Sequence, residues 1–221
     1  MRWSGLCFVL FAFSARAQLS QVWVDVNLQH EVNKKWSIIG DAGARYTIDH
    51  SLSVAFARGG MVYHLSPLIK LYGGLAYFHY KTPISEIKSN EIRTWQGVRI
   101  DVNAGKSMLL FNYTRLEERF ISAEGSDDFL LRFRNLSGIS FIPYNNREKN
   151  KSIYLPLSFE FFVDMNKKLF VNRYRVYLGA GYGFSKNKIE LHYISQNGRV
   201  NANDSIELTE NVYRLRWFRT I

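Results

Sequence analysis

Residues 36–48 read WSIIGDAGARYTI, and they decide the fold. Taken alternately, one face carries Trp36, Ile38, Gly40, Ala42, Ala44 and Tyr46. The other carries Ser37, Ile39, Asp41, Gly43, Arg45 and Thr47. A period of two is the signature of a strand with unlike surroundings on its two faces. Trp36 and Tyr46 are ten residues apart, roughly 33 Å along a strand. Tilted by about 45°, that covers roughly 23 Å, the height of the apolar band between the aromatic girdles of a transmembrane barrel.

The same pattern repeats to the end of the chain. Strands are predicted at about 21–31, 36–48, 52–65, 70–80, 90–103, 108–121, 128–142, 153–164, 172–184, 187–196 and 209–219. Leu155, Leu157, Phe159, Phe161 and Val163 oppose Ser158, Glu160 and Asp164. Tyr174, Val176, Leu178, Ala180 and Tyr182 oppose Arg173 and Arg175 together with Gly179, Gly181 and Gly183. Ile92, Val98, Ile100 and Val102 oppose Glu91, Arg93, Arg99 and Asp101; Phe129, Leu131 and Phe133 oppose Arg132 and Arg134. The last segment sets Tyr213, Leu215, Trp217 and Ile221 against Arg214 and Arg216, the kind of closing strand that barrel-assembly machinery reads, with Ile221 in place of the usual terminal aromatic. The fold class is therefore all-β, an antiparallel transmembrane β-barrel of 10–12 strands. Eleven segments are counted where bacterial single-chain barrels use even numbers, so one segment is expected to be either no strand or two. The stretches 81–89, 122–127, 143–152 and 197–208 read as long loops. The sixth segment leaves two readings open, because Leu109, Phe111 and Tyr113 share parity with Arg115, Glu117 and Arg119. Either a bulge swaps the faces or the lumen holds a mixed layer.

Residues 1–17, MRWSGLCFVLFAFSARA, read as a cleavable export signal: a basic start, an apolar core from Leu6 to Phe13 and a small-x-small site at Ala15–Ala17. The core is too short for a spanning helix. Cleavage leaves residues 18–221 as one barrel domain without cysteine, since Cys7 is the only one, so disulfides and thiolate metal sites are not expected. Loss of Arg2 and Arg16 lowers the formal net charge from +10 to +8. Export argues against nucleic acid as the partner of this basic chain.

Lysine and arginine are partitioned. The twelve Lys lie in or beside turns, while strand Arg share the polar faces with Asp25, Asp41, Glu91, Asp101, Glu117, Glu160, Asp164 and Glu190. Arg forms bidentate, partly buried pairs with carboxylates that Lys cannot match. The residues expected to line the lumen are Arg45, Glu91, Arg93, Arg99, Asp101, Arg115, Glu117, Arg119, Arg132, Arg134, Glu160, Arg173, Arg175, Arg214 and Arg216. They imply an ion-pair network that fills the barrel, or a selective path or anionic ligand site. His30 and His50 read as turn residues and His79 as interfacial. No HExxH, GxSxG, P-loop or metal-spaced His cluster is present, so no catalytic residue, metal or cofactor is assigned.

Several runs carry a resemblance: Gln21-Val22-Trp23, Lys35-Trp36 to Arg45, Glu91-Ile92-Arg93-Thr94-Trp95-Gln96, Arg115-Leu116-Glu117-Glu118-Arg119-Phe120, Leu131-Arg132-Phe133-Arg134, Glu160-Phe161-Phe162 and Asn172-Arg173. In this order the chain resembles the bacterial domain-of-unknown-function family number 2490, over nearly all of its mature length. The resemblance implies an outer-membrane barrel and, since that family has no established activity, no catalytic residues. His often stands between Glu and Arg in the fifth-segment motif; here the position is Ile92.

The expected protein is thus an outer-membrane β-barrel of a bacterial cell, a narrow or plugged pore with a structural or transport role, with membrane lipid and the barrel-assembly machinery as partners. The alternatives are a membrane-embedded enzyme acting on lipid or lipopolysaccharide, and a soluble periplasmic barrel holding an apolar ligand. They differ in geometry. A membrane barrel carries its apolar residues outside, without charges at mid-height; the soluble binder carries them inside. An enzyme brings a His within hydrogen-bonding reach of Ser, Asp or Glu at one rim.

Overall fold

In the computed structural model the described residues are 19–82, 87–123, 125–146, 148–166, 170–198 and 208–221. Residues 1–17, expected to be an export signal, and Arg147, Lys167, Lys168 and Arg199 lie outside them. Eleven strands follow in chain order: β1 (Leu19–Glu31), β2 (Trp36–Thr47), β3 (Ser53–His64), β4 (Ile69–Thr82), β5 (Ile87–Asn103), β6 (Met108–Ala123), β7 (Ser126–Asn146), β8 (Lys151–Asp164), β9 (Phe170–Phe184), β10 (Asn187–Gly198) and β11 (Leu208–Thr220). Each pairs with its chain neighbour, and β1 pairs with β11 to close the barrel.

All eleven predicted segments are strands, so the expectation that one of them was spurious or double is corrected. The barrel is antiparallel as expected, at every pairing but one. With an odd count the first and last strands run the same way, and the seam between them is parallel, from Leu19 beside Glu210 to Gln29 beside Thr220. Closure satisfies the backbone groups that an open sheet would leave at its edges. The odd count also puts Leu19 and Ile221 at opposite rims.

The connections differ between the rims. At the rim where β1 ends, the links are 32–35, 65–68, 104–107, 147–150 and 185–186. At the other rim they are 48–52, 83–86, 124–125, 165–169 and 199–207. The loops expected at 81–89, 122–127 and 143–152 are shorter than expected because strands run into them. β7 alone extends over 21 residues, accommodating a register shift between Phe141 and Tyr144. The two-residue link after β9 needs a left-handed residue, which Ser185 supplies with a φ of 52°. His50 lies in a turn, with a φ of 59°, but His30 is a strand residue of β1.

Side-chain direction follows the pleat. The outer surface carries Val22, Val24, Val26 and Leu28 of β1, Leu155, Leu157 and Phe159 of β8, and Leu178, Leu191 and Leu215 of β9 to β11. Aromatic pairs stand on this surface toward each rim: Trp36 with Tyr63 (ring centroids 4.8 Å apart) and Tyr182 with Phe184 (5.5 Å) toward one, Phe120 with Phe129 (5.2 Å) and Tyr193 with Tyr213 (5.9 Å) toward the other. One sector is polar. On β6 and β7, Asn112 donates to Asn135 and Ser137, and Asn135 donates to Thr114, so these groups satisfy each other. Next to them Glu118 accepts from Thr94 and from Gln96. Glu118 is an outward charge within β6, opposite Thr94 near the middle of β5; the outward charges Lys81, Lys88 and Arg219 stand at strand ends.

Two inward layers fill the interior. Val54, Phe56, Ala76, Phe78 and Trp95 form an apolar cluster on β3 to β5. Room for the Trp95 indole comes from Gly60 and Gly74, which face each other across β3 and β4; a Cβ at Gly74 would stand 2.7 Å from the ring. The remaining wall, from β5 around to β1, carries most of the charges, together with a second apolar cluster of Trp23, Tyr177, Ile194 and Val212. β6 pairs without interruption with both neighbours, so no bulge swaps its faces. The lumen holds a mixed layer, with the Arg99 guanidinium 4.7 Å above the Phe111 ring.

Candidate functional site

The candidate site is the lumen itself, a cavity of about 910 Å³. Alternation on each strand aims a charged residue inward at every second position, and neighbouring strands set these side by side. Glu91 on β5 receives Arg93 (Nε to Oε1, 2.5 Å), Arg119 from β6 and the Tyr80 hydroxyl (2.8 Å). Glu117 on β6 receives Arg115 (2.5 Å) and Arg134 (2.6 Å), with Arg93 at 3.6 Å. Glu160 on β8 receives Arg134 (2.6 Å), Arg175 (3.5 Å) and the Tyr177 hydroxyl (2.5 Å). These contacts join Arg119, Glu91, Arg93, Glu117, Arg134, Glu160 and Arg175 into one alternating ladder across five strands. Every carboxylate in it has at least two cationic partners, which is what makes burial of the charges tolerable.

Smaller pairs complete the wall. Asp25 on β1 takes a bidentate contact from Arg214 (2.7 and 3.0 Å) and a single one from Arg216 (3.2 Å), locking the parallel seam from inside. Arg216 also reaches Glu190, which holds His192 at 2.9 Å and the Tyr154 hydroxyl at 2.9 Å. Arg58 grips Asp41, Arg132 grips Asp164, and Asp101 is shared by Arg99 (2.8 Å) and Lys70 (2.9 Å). Arg173 lines the cavity beside Arg175. Of the fifteen residues expected to line the lumen, thirteen border the cavity, in separate clusters rather than one network; Glu117 and Asp101 do not border it. Asp101 lies apart from the ladder, with Arg99 and Lys70.

Aromatic rings form a second support for the cations. Arg93 stands 3.8 Å over Phe78; Arg134 and Arg175 each stand 4.7 Å over Phe162. Such contacts contribute about 0.5–2 kcal/mol each, more when desolvated. The sequence reading passed over Arg58, Tyr80, Tyr177, Trp23, Phe78 and Phe162 as site residues. Their inward parity was readable, but the pairing of each ring with a guanidinium depends on cross-strand register, which one sequence does not carry.

Four of the acids lie deepest. Asp25, Glu91, Glu117 and Glu160 are all 3% exposed or less, pressed against the wall. Among the described residues, the cavity surface is formed by twelve Arg and one Lys against four Glu. The lumen is therefore cationic although most of its charges are paired.

For hydrolytic chemistry the described residues offer one Ser–His contact, Ser37 Oγ to His64 Nε2 at 3.0 Å near the rim of short turns. Ser37 has no solvent exposure, and no carboxylate contacts His64 among the described residues, so the pair lacks both access and an orienting acid. His192 contacts Glu190 but no serine. No group of three or more His, Cys, Asp or Glu among the described residues is arranged to hold a metal ion.

A closed β-barrel with an apolar exterior and an arginine–carboxylate interior is the class of protein these observations define. The family described as "Protein of unknown function (DUF2490)" matches residues 20–207, and the chain belongs to it. That match spans β1 to β10 and agrees with the resemblance carried by the strand motifs. No curated protein matches the chain.

Proposed function

We propose that this protein is an outer-membrane β-barrel of a bacterial cell whose arginine-lined lumen serves as a narrow, anion-favouring path or, if sealed by its own ion pairs, as a structural barrel. The observation that carries this reading is the sorting of side chains. Apolar residues face outward on strands all round the barrel, between aromatic pairs toward each rim, while charged residues face inward. A soluble barrel that holds an apolar ligand requires the reverse. Membrane lipid would cover the outer face, and the barrel-assembly machinery would read the closing strand β11 with its outward Tyr213, Leu215 and Trp217. The polar sector around Asn112 is compatible with lipid because its groups hydrogen-bond to each other. The buried Ser37 argues against the enzyme alternative.

The test is conductance of the refolded mature chain in a planar bilayer, once heat-dependent gel mobility shows a folded barrel. Discrete, reproducible, anion-selective steps support the path, and Arg115→Ala or Glu117→Ala should then alter the selectivity. A folded barrel that stays silent supports the sealed form. A chain that folds without detergent or lipid overturns the membrane reading.

A further inference from the structure

We propose that Arg45, together with Arg175 and Arg214 around the Trp23 indole, forms a binding site in the lumen for a small oxyanion, a carboxylate or phosphate group. The proposal rests on the reading of the interior as a lumen open to solutes.

Three guanidinium groups converge on one ring. Arg45 stands 4.3 Å from the Trp23 centroid, Arg175 5.1 Å and Arg214 5.7 Å. Two of them are already engaged: Arg214 with Asp25, and Arg175 with Gln196 and Glu160. Arg45 is different. It makes no hydrogen bond and no ion pair among the described residues, and its close partners are the ring faces of Trp23, Phe56 and Phe78. The charges that bear on it most, those of Arg175, Arg214 and Arg58, are of its own sign.

A guanidinium has five N–H donors in a fixed fork. Arg45 is half-buried and its fork opens to the cavity, where the like charges around it favour an anion. Apart from Arg173, every other arginine lining the cavity is set against a carboxylate. A bound oxyanion would answer this one, accepting the Arg45 fork in the bidentate geometry that carboxylate and phosphate share. The cavity that Arg45 lines has ample room for it. Because Arg45 faces the lumen, the anion comes from solution and not from a lipid headgroup on the outer surface.

The test is titration of the folded, detergent-solubilised chain with inorganic phosphate, and separately with acetate, at fixed ionic strength and chloride. Trp emission and barrel melting temperature are the readouts. The expected result is a saturable change with phosphate, with Arg45→Gln weakening the affinity at least tenfold while the barrel still migrates as folded. Arg45→Lys, which keeps the charge and loses the fork, should weaken it less. Lys106→Gln, which removes one charge from an exposed turn, should leave it unchanged. Acetate distinguishes a site for any oxyanion, where it also saturates, from one that requires phosphate, where it does not. Absence of any saturable change with either anion in the folded wild-type barrel overturns the proposal, whatever the conductance shows. So does equal affinity in Arg45→Gln; if that variant does not fold, unchanged affinity in Arg45→Lys overturns it. A silent barrel that binds phosphate through Arg45 would sink the path and leave this site standing.

Discussion

Replacing Glu117 by Gln keeps the shape of the ladder and removes one of its central charges. Glu117 is 2% exposed and meets Arg115 at 2.5 Å and Arg134 at 2.6 Å. A charge pair about 4 Å between centres is attractive by about 4 kcal/mol at the effective dielectric that suits protein sites, before desolvation is subtracted. Arg134 retains Glu160 after the change, but Arg115 loses its carboxylate and is left buried over the Trp95 ring at 5.5 Å. Breaking a buried pair from one side costs about 3–5 kcal/mol, and that is the expected loss for Glu117→Gln. Urea unfolding of the barrel in lipid vesicles, followed by Trp emission, measures it. Adding Arg115→Gln removes the orphaned cation, so the double variant should recover about 0.5–3 kcal/mol relative to the sum of the two single changes. A loss under about 1 kcal/mol for Glu117→Gln, or strict additivity with Arg115→Gln, would refute the reasoning that these charges are held as a coupled network.

Leu178, outward and mid-strand on β9, discriminates lipid from water: Leu178→Arg should cost about 2–4 kcal/mol in a bilayer, whereas on a water-facing surface the change stays within about 0.5 kcal/mol. Gly74→Ala would push a Cβ to 2.8 Å from the Gly60 backbone and 2.7 Å from Trp95, an overpacking expected to cost about 1–3 kcal/mol in the same unfolding assay. In the exposed turn after β2, Asp49 accepts from the Ser51 amide (3.0 Å) and hydroxyl (2.7 Å), which holds its carboxyl below the ordinary carboxylate value. A lowered folded value means that its support of the turn is present above the unfolded pKa of about 4 and is lost as pH falls through the folded value. The protection of the Ser51 amide, its exchange rate relative to that of the unstructured chain at the same pH, should therefore fall in acid, and Asp49→Asn should abolish that change in protection.

Much of this architecture was legible in the chain. The alternation in residues 36–48 assigns Ile38 outward and Asp41 and Arg45 inward, as the barrel has them, because a period of two is a property of the backbone and needs no partner. The strand count was legible too; what misled was the even-number rule, which the parallel pairing of Val24 with Leu215 evades. Parity alone left β6 ambiguous. Phe111 and Arg115 both face inward because the lumen is wide enough to place a ring beneath a guanidinium, a fact of three-dimensional register. The same limit hid the isolation of Arg45. In sequence it is one more strand arginine; only the positions of Asp25, Asp41 and Glu160 reveal that each nearby carboxylate is taken by another cation.

The parallel seam has a consequence for how the barrel is made. Ten strands can enter as five hairpins, each pairing locally, but an odd strand has no such companion. The ladder mates at the seam come from the two extremes of the chain, and the Asp25–Arg214 contact beneath it spans 189 residues of sequence. Contacts of that separation form slowly, because the loop entropy is lost before the contact exists. Closure is therefore the expected last event of assembly, with Asp25 as its latch, and an intermediate arrested before it would present β1 and β11 as two naked edges open to any other strand.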